Sequence, residues 1–143
     1  MSCCCCEEKR IYTSEKAPKA IGPYSPAVKG GGLVFISGQL GIDPATGNVV
    51  EGGLEAETRQ ALTNVKNLLE AAGSKLENVV KATVFLRDIA DFNKMNAIYA
   101  EFFVVNPPAR SAFQVGALPR GAAVEIEAIA LAGCDCDCEC DED

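Results

Sequence analysis

Histidine is absent from the sequence. That excludes Ser-His-Asp and Cys-His nucleophile machinery, and any zinc or iron site ligated by imidazole. Cysteine is confined to the two ends. Cys3, Cys4, Cys5 and Cys6 stand at the front and Cys134, Cys136, Cys138 and Cys140 at the back, with none from residue 7 to residue 133. A disulfide scaffold threads its cysteines through the fold, so this chain is not one, and no thiol in the long central stretch can act as a nucleophile. No apolar run approaches the roughly 18 residues that span a bilayer. The opening MSCCCCEEKR has neither the layout of a secretory signal nor the Arg-rich character of a transit peptide, so a cytoplasmic protein with no membrane partner is expected. A G-x-x-x-x-G-K-[ST] phosphate loop is missing too, and Gly30-Gly31-Gly32 precedes a strand rather than opening a helix.

Basic excess is also lacking. The formal net charge is −7, and most of it sits on Asp135, Asp137, Glu139, Asp141, Glu142 and Asp143. Glu7 and Glu8 are balanced by Lys9 and Arg10, so the stretch between is nearly neutral and shows no nucleic-acid footprint. The 143 residues suit one domain, and a hydrophobic share of 48% provides for a core. Three zones follow: a cysteine-rich tail at 1–9, a body at 10–132, and a cysteine/acid tail at 133–143.

Within the body, 11–13 and 25–29 read as short strands, and 33–37 as a buried one. Asp43-Pro44-Ala45-Thr46-Gly47-Asn48 is a turn cluster. Leu54, Ala61, Leu62, Val65, Leu68, Leu69 and Ala72 recur at helical spacing, and Gly73 supplies a stop. A strand follows at 79–86, then a helix at 91–103 ended by Pro107-Pro108. Strands at 112–115 and 124–131 complete the chain. In the last, alternation puts Glu125 and Glu127 on one face. The order predicts a two-layer α+β domain, a sheet packed against two helices.

With histidine and thiol removed, carboxylate, tyrosine, lysine and water remain for acid–base work. Arg110 opens an apolar strand, where an unpaired guanidinium is costly to bury but its planar fork can grip a carboxylate. Glu125 stands among Val, Ile, Ala and Leu. The structural alternative is an internal ion pair between Arg110 and Glu125 or Glu127, or glutamates on a solvated face.

Six segments carry a resemblance: Ala20 to Ala27 (AIGPYSPA), Ile36 to Gly41 (ISGQLG), Asn78 to Val84 (NVVKATV), Asp91-Phe92 through Asn96 to Tyr99, Pro108-Ala109-Arg110-Ser111, and Val124 to Ala128 (VEIEA). In this order and at this spacing the chain resembles the RidA/YjgF family of reactive intermediate deaminases, across Ile11 to Ala132. The resemblance implies a chorismate-mutase-like fold with a mixed sheet on two helices, assembled as a homotrimer around a barrel of sheets, with active sites in the clefts between neighbours. It implies hydrolysis of small enamines and imines such as 2-aminoacrylate to 2-keto acids and ammonia, without cofactor or metal. By position, Arg110 would clamp the substrate carboxylate, Glu125 would activate water or pass a proton, and Tyr24 would line the cleft and hydrogen-bond substrate or water. Ser37, Gly38 and Asn96 would shape the pocket. Many bacterial members carry a cysteine two residues after the arginine. Here Ala112 stands there, and Ala112-Phe113-Gln114-Val115 is closer to the animal branch.

Without the resemblance, Tyr24 after a Gly-Pro turn reads as a packing lid, Asn96 as a surface or capping residue, and Ser37-Gly38 as a strand end with a kink. Two other functions compete. One is an endoribonuclease on single-stranded RNA, with Arg110 on phosphate and Glu125 as base, disfavoured by the charge balance and the missing histidine. The other is a trimeric binder of small carboxylates, or chaperone, without turnover. The cysteine tails lie outside the resemblance. Their thiols could take zinc or copper(I), cross-link, or carry palmitate, but the spacing does not match C-x₂-C pairs, so no metal is assigned and an extension without an ordered role is the plainer reading.

Overall fold

Gly31 and Gly32 both take positive φ, 60° and 77°, and close a tight turn between two antiparallel strands. In a computed structural model describing residues 8–133, these strands are β2 (Ala27–Gly30) and β3 (Leu33–Leu40). The remaining elements are β1 (Arg10–Tyr12), α1 (Gly53–Ala71), β4 (Val79–Leu86), α2 (Phe92–Phe102), β5 (Ala109–Gln114) and β6 (Val124–Leu131). The readings placed on the cysteine tails fall on residues 1–7 and 134–143, outside the described residues.

The six strands form one mixed sheet in the order β1-β2-β3-β6-β4-β5. β6 runs antiparallel between β3 and β4, and β5 pairs parallel to β4 after the α2 crossover. Both helices lie on one face. The apolar stripe foreseen in α1 is buried there, with Ala61, Leu62, Val65, Leu68 and Leu69 fully covered against Val34, Ile36, Val84, Ile126 and Ala128. Gly73, at φ 77°, ends α1 in a Schellman arrangement. Ser74 N–H donates to the Leu69 carbonyl at 2.8 Å and Gly73 N–H to that of Glu70 at 3.1 Å.

The fold is thus the expected α+β arrangement of one mixed sheet and two helices. Boundaries shift where backbone geometry intervenes. The fifth strand was expected at 112 and begins at Ala109, directly behind Pro108, so Arg110 lies inside a paired strand. The second strand starts at Ala27 because Pro26 lacks the N–H a ladder needs.

The second face of the sheet carries Val28, Phe35, Phe85, Phe113, Ile129 and Leu131, together with Lys81, Thr83, Ser111, Glu125 and Glu127. No helix covers it. Phe35, Phe113 and Leu131 are 43%, 44% and 50% exposed, far more than large side chains in a covered layer.

Candidate active site

β3 and β6 pair in register from Leu33↔Leu131 to Ile36↔Ala128 and resume at Gln39↔Ile126. Between these pairs Ser37 and Gly38 oppose the single residue Glu127, which is a β-bulge. The bulge opens one wall of a cleft of about 370 Å³, lined among others by Tyr24, Ser37, Gly38, Pro119, Glu125 and Glu127. Ser37 fastens the opposite wall. Its Oγ donates to the Ser25 carbonyl at 2.6 Å and its N–H donates to that of Pro26 at 3.0 Å. Tyr24 stands half-exposed at the rim, and its hydroxyl oxygen accepts from Ile21 N–H at 3.3 Å.

Glu125 projects into this cleft over Gly38. A Cβ built on Gly38 would lie 2.6 Å from Glu125 Oε1, so only glycine leaves room for the carboxylate. Burial pushes the Glu125 carboxyl up from its ordinary value, and the neighbouring charge of Glu127 pushes it further the same way. Glu125 has no ion-pair partner among the described residues.

The end of β6 is braced from behind. The buried Glu57 of α1 accepts from Ala123 N–H at 2.9 Å, two residues before Glu125. Asn64, also buried, donates to the carbonyls of Leu40 and Ile42 at 3.2 and 2.9 Å. Gly41 permits this approach, since a Cβ there would lie 2.6 Å from Glu57 Cα and from its carbonyl oxygen.

Arg110 and Asn96 are elsewhere. Arg110 pairs with Ala82, and Ala82 with Ala128, both of which face the helices; Glu125 pairs with Phe85 on the opposite face. Two strand spacings and three residues of rise separate their Cα atoms by roughly 14 Å, with the sheet between the side chains. The ion pair with Glu125 or Glu127 weighed from the sequence is therefore not formed: the register sends the charges to opposite sides. Arg110 instead lies against α2, its guanidinium carbon 4.7 Å from the Tyr99 ring centroid and 5.6 Å from that of Phe92. Asn96 is on the same helix, its Oδ1 buried without a hydrogen-bond partner, as is the Tyr99 hydroxyl.

Of the six residues singled out from sequence, Tyr24, Ser37, Gly38 and Glu125 thus share one cleft, while Arg110 and Asn96 share a second locus on the helix side. Glu127 and Pro119, which line the cleft, were not singled out. Glu127 was signalled by its alternation with Glu125, whereas the turn carrying Pro119 left no chemical mark. Among the described residues no group of His, Cys, Asp or Glu is placed to hold a metal ion.

Residues 14–132 match the family model of Endoribonuclease L-PSP. The chain is 55% identical over 121 residues to the 2-iminobutanoate/2-iminopropanoate deaminase of Capra hircus, covering 85% of this chain and 88% of that one. It superposes on RidA from an Antarctic Psychrobacter with TM-score 0.83 at 46% identity, covering 85% and 98% of the two chains. Escherichia coli TdcF, in a structure with bound serine, gives TM-score 0.83 at 39% identity, covering 87% and 99%.

Proposed function

Since the chain belongs to the RidA/YjgF family, that of Endoribonuclease L-PSP, we propose that it hydrolyses reactive imines and enamines of small 2-amino acids to 2-keto acids and ammonia. The observation that carries this reading is Glu125, an unpaired carboxylate with a raised pKa, held against Gly38 in a cleft sized for a small molecule. That is the equipment of a general base acting on water beside an already electrophilic carbon.

The substrate would enter as the imine, reached from an enamine such as 2-aminoacrylate by protonation of its terminal carbon. Glu125 takes a proton from water as the water oxygen bonds to C2. The C=N π pair of the protonated imine moves to nitrogen, and Glu125 passes to it the proton taken from water, leaving a tetrahedral carbinolamine with an –NH3+ group. The hydroxyl proton then goes to Glu125 as C=O forms, the C–N bond breaks and ammonia departs. Tyr24 at the rim hydrogen-bonds substrate or water, and Ser37 and Gly38 fix the wall facing Glu125. No step draws on a cofactor or metal.

Arg110 would grip the substrate carboxylate, with Asn96 beside it. Within one chain it cannot reach the Glu125 cleft, so the complete site requires Arg110 of one copy and Glu125 of another. The bare apolar face of the sheet supports such an assembly, and a homotrimer built around a barrel of these sheets accounts for both features. The working unit is 10–132, in a cytoplasmic protein. The serine bound to TdcF is a small molecule with the same α-carboxylate. RNA cleavage is the weaker reading, because the body is nearly neutral and histidine is absent.

The test is hydrolysis of freshly generated 2-aminoacrylate by wild type and Arg110→Ala under chelated conditions. Keto-acid formation above the uncatalysed rate, lost in the variant, is expected. No acceleration by wild type would reject the deaminase reading for this substrate.

A further inference from the structure

Arg110 is held by two aromatic faces and by nothing charged. The residue is half-buried, yet among the described residues no carboxylate or carbonyl engages its guanidinium. A cation in that position is ordinarily paired, because losing water without compensation is costly. Here the compensation comes from the rings of Phe92 and Tyr99.

α2 builds this platform by its own periodicity. Phe92, Asn96, Tyr99 and Phe103 recur at intervals of four, three and four residues and so line one face of the helix and its end. Tyr99 is buried, and its ring centroid lies 4.7 Å from that of Phe103 at a 36° tilt, which fixes it in the core. Burial keeps the Tyr99 phenol above its ordinary pKa, although the charge of Arg110 pulls the other way. The ring therefore attracts Arg110 as a neutral π face, not as a phenolate counter-ion.

Resting on the reading of Arg110 as the carboxylate clamp, we propose that Tyr99 and Phe92 are positioning residues, an aromatic shelf that holds the guanidinium by its face and keeps its N–H edge open for the substrate. The two ways of holding a buried arginine differ in this respect. A glutamate partner would stabilise the cation but occupy the same in-plane N–H donors that the substrate carboxylate needs. A ring takes only the face, so the charge is supported while the fork remains unspent. The shelf also restricts the long side chain before the ligand arrives, which lowers the entropy lost on binding.

The experiment compares Tyr99→Leu, Phe92→Leu, Tyr99→Phe and Arg110→Ala. Its readouts are KM and kcat for 2-aminoacrylate, inhibition by 2-oxobutanoate and by the uncharged 2-oxobutanamide, and thermal unfolding. Loss of either ring is expected to raise KM and the 2-oxobutanoate inhibition constant roughly three- to thirtyfold, the range of a cation–π contact. kcat should change much less, and inhibition by the amide should not move. Tyr99→Phe retains the ring and should restore carboxylate binding to within about twofold of wild type. Equal losses for keto acid and amide, or normal keto-acid binding in both leucine variants, would overturn the shelf. Phe92 is only half-buried, so Phe92→Leu carries the test if Tyr99→Leu does not fold. Normal 2-oxobutanoate binding by Arg110→Ala would instead reject the clamp on which the shelf rests, a result separable from failure of the shelf alone.

Discussion

Gly38 and Glu125 lie on neighbouring strands, and the carboxylate of one occupies the space where a side chain of the other would begin. A Cβ on Gly38 would stand 2.6 Å from Glu125 Oε1 and 2.9 Å from its Cδ. The backbone of Gly38 is outside the left-handed region, so the glycine serves space and not conformation. Because the clash is with the end of a flexible side chain, Gly38→Ala should displace Glu125 rather than the strands. Unfolding free energy is expected to change by less than about 1 kcal/mol, while kcat/KM falls roughly a hundredfold, as for a misplacement near 1 Å. Denaturant melts and steady-state kinetics on the same preparations check both halves.

The two causes that raise the Glu125 pKa can be separated by pH. The base role proposed for Glu125 requires the ionised form, so kcat/KM should decline as pH falls through its raised pKa, giving an acid limb above the ordinary carboxylate value. Glu127→Gln removes the smaller cause, the neighbouring charge, and should move that limb to lower pH with the plateau retained. An acid role for Glu125 would instead show activity lost as pH rises. Stability follows the opposite sense from activity. Folding favours the protonated form, so stability is fullest below the unfolded pKa and declines as pH rises through the folded one. Glu125→Gln should therefore be inactive yet more resistant to unfolding than wild type at neutral pH, with the difference vanishing in acid.

The placement of Arg110 and Glu125 on opposite sheet faces predicts complementation. Arg110→Ala and Glu125→Gln should each be inactive alone. In an assembly made from equal amounts of both, a cleft that draws Glu125 from the first variant and Arg110 from the second is intact. Random association into the proposed trimer would give about a quarter of the clefts this composition, and about a quarter of wild-type activity should return after co-refolding. If each chain supplied both residues to its own site, the mixture would stay as inactive as its parents.

Legibility of the sequence followed periodicity. The 79–86 and 124–131 strands were read to their ends, and α1 to within two residues, because alternation and helical spacing mark them directly. Glu125 and Glu127 were placed on one face by the same rule. The face occupied by Arg110 was not readable. It depends on the parallel register of β5 on β4 and the antiparallel register of β6 on β4, which no local pattern encodes. At Ser37-Gly38 the sequence shows a kink but suggests a strand end; that β3 runs on to Leu40 through a bulge is visible only against its partner strand. At helical spacing Phe92 and Tyr99 are indistinguishable from ordinary core positions of an amphipathic helix, and only the placement of Arg110 upon them sets them apart.

The brace behind the cleft gives a prediction of the converse kind, in which stability rather than placement of a reacting group is at stake. Glu57 Oε1 accepts the Ala123 N–H at a position buried by the close approach of α1 to Gly41. Glu57→Ala removes the acceptor and leaves that backbone donor without a partner in a site too tight for easy repair. The expected loss is about 1–3 kcal/mol, the desolvation cost of an unsatisfied buried group. Glu57→Gln retains a carbonyl oxygen at the same reach, so most of the stability should remain. Urea melts of the two variants distinguish this from a requirement for the charge itself, under which Gln would be as damaging as Ala. The same bond sets the start of β6, two residues ahead of Glu125, so Glu57→Ala should also reduce kcat/KM in protein that is still folded, and Glu57→Gln should restore most of it.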